Sequence, residues 1–144
     1  MQNYTAAAEV TINAPAAKVW EALTTPDLVK EYMFGSTVRS DWEEGSPIIY
    51  AGEWNGKPYE DKGEILEIRP QEILRMNYFS PRGGQADVPE NYQIITWELA
   101  ENNGQTRVVV TQENSKSQSD ADHSTENWRM VLVNLKRVAE DNAA

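Results

Sequence analysis

From residue 36 to residue 115 the chain offers six stretches of strand character, and all but one of the breaks between them are short turns. Parallel neighbours need a dozen or more connecting residues, so stretches joined this tightly pair as successive antiparallel hairpins. The stretches are STVRSDW, PIIYAGEW, KGEILEIR, ILRMNYF, NYQIITWEL and TRVVVTQEN. EEGS separates the first two, and Asn55-Gly56 then joins Trp54 to Lys57, the strongest short hairpin signal in the chain. RPQE sets Pro70 at the second position of a turn, and AENNGQ closes another hairpin. The exception is residues 80–91, SPRGGQADVPEN. An irregular connection of about 12 residues is uncommon in a compact domain and marks a functional or mobile loop.

The flanks complete the pattern. Residues 4–13 end in the β-branched run EVTIN and predict a first strand. Pro15 suits the first turn of a helix over 15–23, with Val19, Trp20 and Leu23 on one face. TTPD stops that helix and starts a second, with Thr25 as its cap, Pro26 in its first turn and Leu28, Val29, Tyr32 and Met33 on its apolar side. After the polar stretch SKSQSDADHS, the residues Trp128, Val131, Leu132, Leu135, Val138 and Ala139 recur at helical spacing. They predict one long amphipathic helix over 122–141, with Asp120 and Asp122 suiting its N-terminal end. The whole is one α+β domain over 1–144: a curved antiparallel sheet wrapped around a long C-terminal helix, with two short helices after the first strand closing one end.

Composition removes several function classes. There is no cysteine, so disulfides, thiolate metal sites and a cysteine nucleophile are excluded, and one histidine makes a zinc site a poor reading. A net charge of −10 argues against a nucleic-acid face. No run reaches the ~18 apolar residues of a membrane span, and MQNYTAAAEV lacks the basic and apolar regions of a signal peptide. A cytoplasmic location is the expectation. DADHSTE lacks the glycine and the glutamate spacing of a calcium loop, RGGQAD lacks the phosphate-loop pattern, and no nucleophile elbow occurs. His123 beside Ser124 reads as the solvated start of a helix rather than a catalytic pair. No catalytic residue, metal or cofactor is assigned.

The chain resembles the helix-grip fold of the START-like, or SRPBCC, superfamily. Its local sequences are similar to the bacterial branch named for the activator of the ninety-kilodalton heat-shock protein ATPase. INAPAAKVWEALTTPDLVKEYMFG, SDWEEGSPIIYAGEWNGKPYEDKGEILEIRPQEIL, ENYQIITWEL, TRVVVTQEN and HSTENWRMVLVNLK carry the resemblance, in that order, over nearly the whole chain. It implies a deep cavity between the sheet and the last helix. In relatives such cavities hold apolar small molecules, and a few catalyse cyclisation or hydrolysis. A chaperone partner follows only from the family name.

Alternation assigns the inward faces. Ile95, Trp97 and Leu99 share one, Leu74, Met76 and Tyr78 another, and Val108 and Val110 continue in phase to Gln112 and Asn114. Two amides on a face that begins as valine suit a ligand carbonyl or hydroxyl, although a strand emerging into solvent gives the same pattern. The sequence therefore predicts binding of a small hydrophobic or amphipathic molecule, with a co-chaperone-like interaction module and a cyclase- or hydrolase-like enzyme as alternatives. Trp54, Tyr78, Trp97 and Trp128 are its candidate apolar wall and Gln112, Asn114 and Asn127 its orienting groups, with loop 80–91 as a gate. Taken singly, each of these aromatics reads first as core filler. Met130 and Val133 fall on the opposite side of the helix and together suit a homodimer contact.

Overall fold

The computed structural model describes residues 4–81 and 84–143, apart from the side chain of Trp54. Seven strands form one antiparallel sheet in the order β1-β7-β6-β5-β4-β3-β2. They are β1 (Tyr4–Ile12), β2 (Thr37–Ser40), β3 (Pro47–Trp54), β4 (Lys57–Arg69), β5 (Ile73–Tyr78), β6 (Gln93–Asn102) and β7 (Gln105–Ser115). Helices α1 (Ala16–Thr24) and α2 (Pro26–Tyr32) separate β1 from β2, and α3 (Gln118–Ala143) follows β7. This is the helix-grip arrangement, with α3 lying along β1 and over α1 and α2.

The turns follow from their residues. Asn55 and Gly56 take φ of 51° and 77°, and Asn103 and Gly104 take 54° and 78°, the paired left-handed conformations of a two-residue hairpin turn. Gln71, after Pro70, has φ 69°, and the Glu72 N–H donates to the Arg69 carbonyl at 3.0 Å. The β3–β4 and β6–β7 turns reverse the chain within two residues and the β4–β5 turn within three, and every strand from β2 to β5 pairs with its sequence neighbour.

Curvature has a local cause in β4. A Cβ on Gly63 would stand 1.9 Å from the Asn77 carbonyl oxygen, so only glycine lets β5 approach so closely. Asn77 Oδ1 takes the Glu64 N–H at 2.7 Å, replacing a ladder bond where the two backbones crowd. A register shift between Ile65 and Glu67 then inserts an extra residue, which leaves Leu66 facing solvent. The bend draws the distal half of β4, and β3 with it, around toward α3.

The helices depart from expectation at their ends. Pro15 is the residue just outside α1 rather than its first helical one, and the Ala16 N–H is taken by Glu101 Oε1 at 2.6 Å. Thr25 receives the first N–H groups of α2 through its carbonyl, while its side chain makes no capping bond. The Tyr32 hydroxyl donates to the Leu23 carbonyl at 3.0 Å and so ties α2 to α1. Helix α3 begins at Gln118, earlier than the predicted 122, because Ser117 Oγ accepts the Asp120 N–H at 3.1 Å and Ala121 is fully buried. The predicted stripe from Trp128 to Ala139 is buried throughout. It meets Ile12, Leu23, Leu74 and Val108 in one core.

Candidate functional site

The stripe of α3 changes character along its length. Its C-terminal half presents Leu132, Leu135 and Val138, which fill the space above the sheet. Its N-terminal half presents Ser124 and Asn127 at the corresponding positions, and these are too small or too polar to do so. A cavity of about 430 Å³ remains there. The sheet contributes Met76, Tyr78, Ile95, Trp97 and Gln112, while β3 and β4 wrap Tyr50, Glu53, Tyr59 and Asp61 around its far side. The α2–β2 connection adds Met33, Phe34 and Ser36, and α3 adds His123, Ser124, Asn127, Trp128 and Val131.

Aromatic rings dominate the floor. Trp97 and Trp128 meet edge to face with centroids 5.4 Å apart, and Tyr32 meets Trp97 in the same way at 6.3 Å. Burial pushes the Tyr50 and Tyr32 hydroxyls well above the usual phenol range, so both stay neutral. Tyr59 folds its ring across Gly52, its register partner, where an added Cβ would lie 2.7 Å from the phenol oxygen. The missing side chain lets Tyr59 reach Ser36, with which it shares a short hydroxyl–hydroxyl hydrogen bond.

The polar groups are few and mostly committed. The indole N–H of Trp128 donates to Gln112 Oε1 at 2.7 Å, and Gln112 Nε2 donates to Gln93 Oε1 at 2.6 Å. Gln112 therefore fixes the tilt of Trp128 as well as lining the wall. The Tyr78 hydroxyl donates to Asp61 Oδ2 at 2.5 Å, and Asp61 is only 4% exposed. Asn127 stands at the mouth with Phe34, His123 and Glu53, all exposed.

Of the residues singled out in the sequence, Tyr78, Trp97, Gln112, Asn127 and Trp128 are brought together around this one cavity. The Trp54 side chain lies outside the described residues. Asn114 departs from expectation: it is not on the cavity wall, and its amide donates to the carbonyls of Glu90 and Tyr92 at 3.1 and 3.0 Å. The cause is a bulge. Tyr4 pairs with Ser115 but Ala6 with Gln112, so β7 carries an extra residue, and Asn114 absorbs it at φ 73°. Beyond Gln112 the inward phase passes to Ser115.

The proposed gate also differs. Arg82 and Gly83 lie outside the described residues, and residues 84–91 contribute nothing to the wall of this cavity, supplying only Gln85 and Asn91 to a smaller pocket beside it. The loop is instead latched to the sheet. Asp87 accepts Lys62 Nζ at 2.5 Å and the Tyr92 hydroxyl at 2.6 Å, and Phe79 stacks on Tyr92. Lys62 first, then Tyr92, holds the Asp87 carboxyl below the usual carboxylate range. Asp61 and His123 were not among the predicted site residues. For Asp61 the signal was present: Tyr59, Asp61, Gly63 and Ile65 share one phase of β4, and a charge in an otherwise inward-facing series has a reason.

Fold and cavity together define the class: a START-like helix-grip protein with a hollow beneath the N-terminal half of its last helix. A family model, Activator of Hsp90 ATPase homolog 1-like protein, matches residues 13–140, and the chain belongs to that family. Among solved structures, ChR145 of Cytophaga hutchinsonii is 46% identical, with TM-score 0.84 over 98% of this chain and 97% of its own. The Aha1 dimer of Colwellia psychrerythraea is 22% identical, with TM-score 0.73 over the full length of both chains. DynU16, from the dynemicin biosynthetic locus, is 18% identical, with TM-score 0.78 over 94% of this chain and 47% of its own. The latter two show the fold alone. No curated protein matches. No helix among the described residues is long and apolar enough to cross a membrane.

Proposed function

We propose that the protein binds a small apolar or amphipathic molecule between the sheet and the N-terminal half of α3. The observation that carries this reading is the 430 Å³ hollow itself, walled by Tyr50, Trp97 and Trp128 where a scaffold protein would place larger helix residues. Ligand sites are clefts of about 300–1,000 Å³, mostly apolar, with a few placed polar groups. Tyr50 and Asn127 are the orienting groups in this reading, since Gln112 is occupied by Trp128 and Gln93. Phe34 and Asn127 frame the way in.

Thermal-shift screening of the purified protein against a panel of lipids and aromatic polyketides, followed by native mass spectrometry of the hits, tests the reading. The expected result is a one-to-one adduct that raises Tm by several degrees, as mass action requires of a ligand specific to the folded state. Asn127→Trp, which crowds the mouth from an exposed helix position, should abolish the adduct and leave the far-UV spectrum unchanged. No shift across the panel, with no adduct on protein purified from its own cell, removes the reading. The same spectra report on chemistry: Asp61 and Tyr78 place a titratable pair in the wall, and a recovered probe of altered mass would make the site catalytic.

A further inference from the structure

Beyond Gln112 lies a second chamber of about 240 Å³. It shares Tyr78, Gln112, His123 and Ser124 with the larger cavity, so one partition of side chains serves both. The lining differs in kind, because Gln93 and Ser115 stand in place of Trp97, Trp128 and Tyr50, and Tyr78 and Phe79 are the rings that remain. Ser115 is 4% exposed, and among the described residues its hydroxyl has no hydrogen-bond partner. A buried hydroxyl left in this state destabilises the fold, and a wall with only a structural role would carry alanine there.

The second observation is directional. An indole N–H can only donate, so the Trp128–Gln112 bond fixes which end of the Gln112 amide is oxygen. Gln112 must then donate onward, and Gln93 must receive through its own oxygen. The relay runs one way, and it leaves the Gln93 NH2 group as its terminus. That group makes no hydrogen bond among the described residues. Lys116 and Asp120 stand at the rim with opposite charges, so the rim adds no net sign. The chamber thus offers neutral donors.

We propose that this chamber is the polar end of the binding site. It holds a neutral hydrogen-bond acceptor, a ketone or carboxamide carbonyl, on an elongated ligand whose apolar body lies against Trp97 and Trp128. The inference rests on the cavity reading above and specifies the ligand class for it. It also explains why the relay begins at Trp128: the ring that contacts the apolar body sets the polarity of the group that reads the other end.

The test uses a naphthyl-butanamide and its hydrocarbon isostere, in which an isopropyl group replaces the carboxamide. Affinities for both are measured by titration calorimetry on wild type, Ser115→Ala and Gln93→Glu. The glutamate keeps the acceptor that Gln112 needs and removes the terminal donor. The expected result is that the ratio of amide to hydrocarbon affinity falls about tenfold in each variant, the scale of one lost hydrogen bond. The Tm of empty Ser115→Ala should stay level or rise. An unchanged ratio with both probes bound overturns this inference and leaves the cavity reading standing. A lowered Tm for Ser115→Ala would show a structural role for the hydroxyl and also overturn it. Failure of wild type to bind either probe overturns this inference, and the cavity reading falls with it only if the lipid and polyketide panel is silent as well.

Discussion

Phe34 sits at φ 54° beside Gly35 at 87°, and its ring, 55% exposed, lines the mouth of the cavity. A left-handed conformation costs a non-glycine residue ~1–2 kcal/mol, and glycine would give back about 0.5–1 kcal/mol of that in chain entropy. Strain of this kind on an aromatic side chain collects at sites where the position of the ring matters more than stability. Phe34→Gly should therefore raise unfolding free energy by about 0.5 kcal/mol in urea while weakening any cavity ligand several-fold. A variant that loses stability and keeps its affinity would show the ring to be ordinary packing. Neighbouring residues differ in how well sequence announced them. Trp97, Gln112 and Trp128 were readable because each lies on an unbroken alternating or helical phase. Phe34 was not, because nothing in MFG says which side of a connection an aromatic ring will face.

At the level of elements, the same division appears in β7. Residues Thr106, Val108, Val110 and Gln112 are buried in strict alternation, and the bulge then moves the phase to Ser115. A one-residue insertion carries no signature in hydrophobic pattern, so Asn114 was assigned to the wrong face. What Asn114 does instead is hold loop 84–92 from one side while the Lys62–Asp87–Tyr92 cluster holds it from the other. The cluster makes a pH prediction. Asp87 is held below its ordinary 3.8 by Lys62 and then Tyr92, so its contribution is complete above 3.8 and is lost as pH falls through the lowered value. Lys62 is raised above 10.5 chiefly by Asp87, so the other limit comes as pH rises beyond 10.5. Carboxyl-carbon NMR should place the Asp87 midpoint under 3.8, with the Asn91 and Tyr92 amide shifts moving in the same step. Asp87→Asn should abolish that step. Amide shifts that stay flat through the titration would mean that the loop does not depend on the latch.

For the molecule as a whole, the order of elements was legible because each turn announces itself and each strand follows its neighbour, whereas the hollow had to be inferred. A cavity is the volume that side chains leave unfilled, and alternation names the face without naming the gap. The place to look was Ser124 and Asn127, small and polar on the helix stripe ahead of Leu132 and Leu135. Charge is the other property of the whole. With 23 acidic and 13 basic residues the folded chain carries −10 and repels itself. Exposed pairs such as Arg39–Glu60 and Arg107–Glu9 oppose this, yet solvent-exposed pairs contribute little and are screened by the same salt. The uncompensated excess acts over the whole surface. At ~0.01 M salt the screening length is about 30 Å, and at ~1 M it is about 3 Å. Repulsion among the excess carboxylates is thus the term that salt removes most completely. Raising sodium chloride across this range should raise the Tm of the empty protein by a few degrees. The rise should shrink in a variant with Glu43, Glu44 and Glu64, which enter no ion pair among the described residues, changed to glutamine. A Tm that falls with salt would show that the pairs outweigh the excess and that this acidic surface is held together by its charges.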